Sequence, residues 1–389
     1  MKKILYVCAW FPPMALGMAT QNYNVVKHLH EVGVNLEVIY IREKGEAEHA
    51  TYPPYIEVVD MHNLINPINI ARLFLLFARR VDKYTVVSAD LKFVLIFLLD
   101  ILKIVKGFPL AIKVGGHAFY DLRVLYSTAI QESQSLMTRL KLNLSCMLHI
   151  AVSKFSLMIC NIIFVDGYDI KESLMATGIS GEKIVVIHNG VDLNKFSERS
   201  IEDIALHPKD KTVVMFLGRL SQENGPMEFL RAINNFSKTY DNFLGVVLSV
   251  GPLRRKMEEY VKTNGLDEKI SFLGFVPDEE LPSYLATADI MILPLQNIGG
   301  VSQVVTEAMA MGKPVITTNV GDVAKIIEHG VNGFIYEKDD LEGISDMLKR
   351  LHTDNELRER IGGNASRFIR ENYGWDRIIK EYIEVYEGL

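Results

Sequence analysis

The stretch Gly299-Gly300-Val301-Ser302-Gln303-Val304-Val305-Thr306-Glu307-Ala308-Met309-Ala310-Met311-Gly312-Lys313-Pro314-Val315-Ile316 reads as a glycine pair, a short helix, a stop and a strand. Two glycines let backbone amides approach a ligand closely, and the helix behind them opens with N–H groups that have no partner within the helix. Together they can seat an anion such as a phosphate. Gly312-Lys313-Pro314 ends the helix, and the β-branched run after it returns the chain to a sheet. Glu307 falls roughly 8 to 9 Å along the helix axis from the glycine loop. A mid-helix Glu is ordinarily solvated, but the neighbours Ala308, Met309, Ala310 and Met311 argue for burial.

The same alternation of β-rich and amphipathic helical runs extends outward in both directions, with no repeat or low-complexity segment, and predicts a doubly wound α/β fold. Strands are expected at 3–9, 35–41, 85–88, 110–114, 162–165 and 184–188, then at 212–217, 245–250, 270–273, 290–293, 314–318 and 333–336. That is one six-stranded Rossmann-like sheet in each half. The first domain is expected over 1–193 and the second over 211–374, with the polar stretch 194–210 as linker. A final amphipathic helix over 375–389 places Ile378, Ile379, Tyr382, Ile383 and Tyr386 on one side. The opening Met1-Lys2-Lys3 and the apolar run behind it have the outline of a signal peptide. Trp10, Cys8 and the following Pro12-Pro13 favour a buried parallel strand instead.

The 389 residues and an apolar fraction of 49% suffice for two full cores, and the formal charge of −6 excludes a generally cationic nucleic-acid binder. Cys8, Cys146 and Cys160 form no close-spaced pair, which suits free thiols in the reducing cytoplasm better than a disulfide or zinc framework. No segment reaches roughly 18 apolar residues without an internal charge. Residues 93–105 are broken by Asp100 and Lys103, and residues 142–165 by Lys154.

Two further positions sit where ligands of doubly wound sheets bind, beyond strand carboxyl ends. The run 213–217 ends in Gly218-Arg219, which places a cation for a diphosphate, although an isolated Gly-Arg is more often a solvated surface pair. Residues 113–116 lead to His117, flanked by glycines at a strand end. A lone histidine is as easily a core or surface group as a catalytic one.

Residues 299–316 resemble the donor-binding signature of the family 4 retaining glycosyltransferases, in the glycogen synthase and mannosyltransferase-like superfamily. That signature is a Glu, seven residues, a second Glu, then Ala-Met-Ala-x-Gly-x-Pro-Val. Here Glu307 is the second acid and the tail matches residue for residue, but Gly299 stands at the first. The resemblance covers essentially the whole chain. It implies the GT-B fold, two facing Rossmann-like doubly wound domains with a C-terminal helix crossing back to the first. It also implies that Glu307 holds the donor ribose hydroxyls and that the Gly299 slot reaches the transferred sugar. With no acid there, Gln296, Asn297, Ser302 or the backbone amides of Gly299, Gly300 and Val301 take over that contact.

The family pattern Gly-Arg-Leu, three residues, Lys-Gly maps onto Gly218, Arg219, Leu220, Asn224 and Gly225, so an amide replaces the expected cation. A charge-assisted hydrogen bond is typically stronger by about 1 kcal/mol. By resemblance His117 lies near the reacting centre, making His117 and Glu307 the catalytic candidates, and Val276 in Phe275-Val276-Pro277 reads the nucleobase through backbone groups. Gly251-Pro252-Leu253 is a shortened form of a family glycine turn. His188-Asn189-Gly190-Val191-Asp192 matches the interdomain turn and reads as a hinge. Gly17 belongs to a first loop usually closed by two glycines, the second of which is Met18 here.

No Asp-x-Asp occurs, so no metal is expected and helix termini with Arg219 meet the diphosphate. No cofactor is expected beyond the nucleotide-sugar donor, of UDP or GDP type. Basic residues such as Arg72, Arg79, Arg80, Lys103, Arg139 and Lys141 punctuate apolar clusters between residues 70 and 150. They raise the expectation of contact with an anionic membrane surface and a glycan or lipid-linked acceptor, in a cytoplasmic protein peripheral to the inner face of the membrane. The plain alternative is that these helices cover a sheet and turn solvated cations outward. Two other functions stay open. One is a non-catalytic sugar-nucleotide-binding partner, because Gly299, Asn224 and Met18 depart together. The other is a sugar-nucleotide epimerase of the same fold.

Overall fold

The computed structural model describes residues 2–12, 17–43, 51–61, 64, 66–90, 92–116, 126–127, 135–197, 210–297 and 299–389. The chain divides into two compact units, Met1–Ile187 with Ile378–Leu389, and His188–Arg377.

The first unit begins β1 (Ile4–Cys8), α1 (Gly17–Glu31), β2 (Leu36–Glu43), β3 (Ile56–Met61), α2 (Pro67–Arg80), β4 (Val86–Asp90) and α3 (Phe93–Lys106). It continues β5 (Leu110–Val114), α4 (Leu136–Ile159), β6 (Ile162–Val165), α5 (Tyr168–Ala176) and β7 (Ile184–Val186). The strands form one parallel sheet ordered β3-β2-β1-β4-β5-β6-β7. All five residues of β1 are buried, as a strand covered on both faces requires, so the apolar opening run is core. Leu5 and Val7 join the cluster under α2, α3 and α4. Tyr6 points to the other face and donates to Asn22 Oδ1 at 3.1 Å.

This sheet has seven strands where the sequence predicts six. The additional strand is β3, an edge strand whose Glu57 and Asp60 disguise its alternation. Arg42 pairs with Asp60 at 2.6 Å and Arg80 with Glu57 at 2.7 Å, so the acids that hide the strand also blunt its open edge.

The second unit runs β8 (Thr212–Leu217), α6 (Pro226–Ser237), β9 (Phe243–Leu248), α7 (Arg254–Thr263), β10 (Ile270–Gly274), α8 (Leu281–Thr287) and β11 (Ile290–Leu293). Then come α9 (Gln303–Ala310), β12 (Val315–Thr318), α10 (Val323–Ile326), β13 (Phe334–Tyr336), α11 (Leu341–Thr353) and α12 (Asn355–Asn372). Its parallel sheet is ordered β10-β9-β8-β11-β12-β13, so the winding reverses between β8 and β11. Open α/β sheets bind ligands at such a switch point. Both units are thus Rossmann-like, and α13 (Trp375–Gly388) closes the chain. From Ile378 onward α13 belongs to the first unit, where Tyr386 bonds Ser88 at 2.9 Å and Tyr382 packs on Phe164.

The boundary between the units falls at residue 187/188 rather than after 193. Val191 donates to the Tyr373 carbonyl at 2.7 Å and Phe196 is part of the second unit's core, which holds residues 188–196 on that unit. Most of the expected linker, residues 198–209, lies outside the described residues. Among the described residues one helix, α4, is by length and composition apolar enough to cross a membrane despite Arg139, Lys141 and Lys154. This differs from the sequence reading, which broke the segment at Lys154.

Candidate functional site

At the switch point of the second sheet, three loops are tied to one another through their backbones. The chain leaves β8 through Gly218, whose φ of 148° favours glycine. Leu220 then donates to the Val250 carbonyl at 3.1 Å, and Leu253 donates back to the Leu220 carbonyl at 2.9 Å. Gly251 permits this interlock, since a Cβ there would lie 2.6 Å from the Leu220 backbone. Ser249, at the end of β9, holds a φ of 130° that non-glycine residues rarely adopt, so this rim carries backbone strain. The Glu223 carbonyl accepts from the amides of Gln296 and Asn297 at 2.8 and 3.2 Å, joining the third loop.

Gly225 is the wedge between them. Its φ is 70°, and a Cβ would sit 1.8 Å from the Pro294 carbonyl oxygen. Only glycine lets α6 start so close to the end of β11. The Asn224 amide donates to the Arg219 carbonyl at 2.9 Å, so this nitrogen serves its own loop. The Arg219 side chain is exposed and makes no ion pair among the described residues, which leaves a cation free at the strand end.

The glycine loop opens α9 as its residue order predicts. Gly300 adopts a φ of 65°, and Ser302 occupies the cap position without a side-chain capping bond, leaving the first amides of α9 as donors. Gly299, Gly300, Val301 and Ser302 are all described, and Ile298 is not. The carbonyl of Gly300 accepts from the Asp322 amide at 2.8 Å. This contact brings a buried acid, paired with Lys325 at 3.4 Å, beside a loop where the sequence shows none.

Glu307 is 6% exposed. Burial pushes its carboxyl up to about 8, Lys195 pulls it back, Asp278 raises it, and a hydrogen bond from the Gln303 side chain one turn earlier lowers it. Lys195 and Asp278 form an ion pair with each other. Neither residue stood out in the sequence. Lys195 fell in the expected linker, and Asp278 reads as one of a run of solvated acids. The available signal was Asp192, whose Oδ1 accepts from the amides of Asn194 and Lys195 at 3.1 Å and turns the chain back. Val276 is half-buried on the second unit's core, and Phe275 beside it is exposed. Replacing Lys195 by Ala should move the pH midpoint of ligand affinity upward, because Glu307 loses its main opposing cation. Affinity titrations between pH 6 and about 9 read this directly, and an unmoved midpoint disconnects Lys195 from Glu307.

His117 lies outside the described residues. On the strand before it, Lys113 of β5 is paired in register with Asp90 on β4, and Asp166 follows β6 directly. Lys113 is 3% exposed, and its ammonium has no hydrogen-bond partner among the described residues. Burial pushes it down to about 8 against the pull of Asp166 and Asp90. Asp90 is itself raised to about 6 by burial, although it accepts from the amides of Ala9 and Trp10 at 2.9 and 3.2 Å. Gly17 begins α1. Met18, standing where the pattern has glycine, lays its methyl against Gly115, where a Cβ would lie 2.4 Å away.

The comparisons with known proteins divide along the same two halves. Residues 16–195 match the Glycosyltransferase Family 4 model, and residues 197–368 match Glycosyl transferases group 1. An uncharacterized glycosyltransferase of Methanocaldococcus jannaschii is 32% identical over 216 residues, 53% of this chain and 54% of that protein. A D-inositol 3-phosphate glycosyltransferase of Corynebacterium kroppenstedtii is 30% identical over 220 residues, 53% of this chain and 48% of that protein. The chain thus spans about half the length of the curated relatives it matches. Among solved structures, Anabaena HepE in complex with UDP aligns over 100% of both chains with a TM-score of 0.74 and 16% identity. This likeness shows the GT-B fold.

Proposed function

We propose, from the match of residues 16–195 and 197–368 to two glycosyltransferase family models, that the protein moves a sugar from a nucleotide-diphosphate donor to a glycan or lipid-linked acceptor. The observation that carries this reading is the switch point of the second sheet. A glycine loop, a helix start, a free Arg219 and a buried Glu307 converge there on three backbone-tied loops.

In this proposal Arg219 and the first amides of α9 meet the diphosphate charge. Glu307 takes the ribose hydroxyls, the loop of Gly299, Gly300, Val301 and Ser302 faces the transferred sugar, and backbone groups at Val276 read the base. His117 acts near the reacting centre. Transfer proceeds with retention, by departure and attack on the same face of the sugar, and without a metal, the cationic side chain and helix terminus serving the diphosphate. The donor is a substrate and no cofactor is invoked. The acceptor is a cell-envelope glycan or its lipid carrier, on the cytoplasmic side of the membrane and with the protein peripheral to it. Support for the location comes from the apolar and basic exposed faces of α2, α3 and α4.

A second reading rests on a specific observation. Gly299 carries no side chain, and the amide nitrogen of Asn224 is turned into its own loop, so two of the usual donor contacts are missing. A chain that binds the nucleotide sugar but does not transfer it, as partner of another transferase, fits this as well. A panel of UDP-, GDP- and ADP-sugars followed by thermal shift and by turnover on lipid-linked acceptors separates the two. UDP donors come first because HepE was solved with UDP. Stabilisation by one donor together with sugar transfer is the expected result. Stabilisation without transfer or donor hydrolysis favours the non-catalytic partner, and no stabilisation by any donor overturns both readings.

A further inference from the structure

Helix α4 has two different halves. Its second half is anchored, with Ser153, Ser156 and Leu157 buried and the Ser156 hydroxyl donating to the buried Asp100 of α3. Its first half, residues 136–148, is apolar yet stands open to solvent. Leu136 is 74% exposed, Leu144 68% and Met147 69%, with Met137, Leu140 and Leu148 also exposed. These six side chains share one face of the helix, and an exposed apolar stripe of that length marks a surface that meets a partner or lipid. The neighbouring α3 runs beside the anchored half, with Phe93 against the His149 ring at 4.6 Å and Asp100 against Ser156, so residues 136–148 project past its N-terminal end; α3 itself lies between α2 and α4 in one layer over the sheet.

The charge on this layer selects the occupant. Every charged residue on α2 and α4 is basic, and the one acid on α3, Asp100, is buried. Arg139, Lys141 and Lys154 punctuate the apolar residues of α4 itself. A second copy of the chain, packed face to face, would set these cations against their own equivalents. An anionic bilayer instead neutralises them while taking up the apolar side chains.

We infer that residues 136–148 form a membrane-docking helix that enters one leaflet of an anionic bilayer, with Arg139 and Lys141 reaching back to the headgroups. This rests on the peripheral location proposed above and names the segment responsible for it. Insertion stops at one leaflet. The open half rises about 20 Å, short of the roughly 30 Å hydrocarbon core, and the other half is locked to α3 through Ser156 and Asp100.

The test is flotation of the full chain with phosphatidylcholine vesicles, with and without phosphatidylglycerol. The wild type should float with the anionic vesicles only. The double variant Leu144→Glu/Met147→Glu should lose roughly tenfold or more of that binding, while Val32→Glu, an exposed apolar site elsewhere on the unit, should keep it. Flotation of both variants alike places the contact on another surface and overturns the inference while leaving the peripheral location standing. A wild type that stays at the bottom overturns both. A dimer by light scattering that the double variant turns into a monomer makes this face an interface between copies, against the inference. Should the double variant fail to fold, a fluorophore on Cys146 gives a second readout, since Cys8 and Cys160 are buried. A blue shift with anionic vesicles supports insertion, and an unchanged spectrum overturns it.

Discussion

Substitution of Glu307 by Gln is expected to weaken binding of the nucleotide sugar on the order of 100-fold, measured by calorimetric titration. Hydrogen bonds to a charged acceptor contribute about 1.5–3 kcal/mol, and above about pH 8, where the carboxyl is ionised, Gln offers the ribose hydroxyls only a neutral amide oxygen in its place. The pH dependence makes the prediction specific. Burial holds the carboxyl at about 8 in the folded chain, above its ordinary value of 4.5. Without nucleotide the group is therefore mostly neutral at pH 7. A carboxyl raised on folding contributes its full stability below the unfolded value and loses it as pH climbs through the folded one. The wild type should thus grow less stable between pH 5 and about 8, by up to several kcal/mol. The Gln variant, which cannot ionise, should melt near the wild type at pH 5 and above it at pH 8.5. Affinity left intact by the substitution removes Glu307 from the site, and parallel melting curves at both pH values remove the buried-acid account.

The second large effect is structural. Gly225→Ala is expected to destabilise the second unit by about 3 kcal/mol or more, since a left-handed residue gains a Cβ and that atom overlaps a backbone oxygen. At roughly 2–4 °C per kcal/mol for a unit of this size, the melting temperature should fall on the order of 10 °C. Gly265→Ala is the control. Its φ of 65° is nearly the same as that of Gly225, but no atom lies within 4 Å of its Cβ position. It should cost only the backbone strain, about 1–2 kcal/mol. Equal losses in differential scanning fluorimetry would mean that the close approach of Gly225 to Pro294 is not what holds the loops together.

The same pair of glycines shows what a sequence can and cannot reveal. Gly225 was legible as part of a Gly-Arg pattern, but its contact with Pro294 joins residues far apart in the chain, and no local signal reports it. The buried parallel strands were readable from runs such as Ile4-Leu5-Tyr6-Val7-Cys8, because a strand covered on both faces has little choice of residue. The edge strand β3 was not, because its Glu57 and Asp60, which pair with Arg80 and Arg42, break the apolar alternation. Glu307 announced itself through its apolar neighbours. Lys195 and Asp278, whose opposite charges act on it, did not, since an ion pair between two loops leaves no periodicity behind. The open half of α4 was visible as an apolar, basic stretch, yet whether those residues faced a core or the solvent depended on which half of the helix α3 holds.

The backbone ties among the three loops of the second sheet bear on how such a site can change over time. Leu220, Val250, Leu253, Glu223, Gln296 and Asn297 are joined through amides and carbonyls, which every residue type except proline supplies, and the demanding positions, Gly225 and Gly251, are glycines. The frame therefore does not depend on which side chains project from it. Residues that project from the frame can be exchanged without loosening the scaffold, and under the proposed function Gly299 and Asn224 are two such exchanges in a frame that remains closed. On that reading selectivity and foldability are separately inherited, so a new donor sugar can be acquired by drift at the rim while the clamp stays under a constraint of its own.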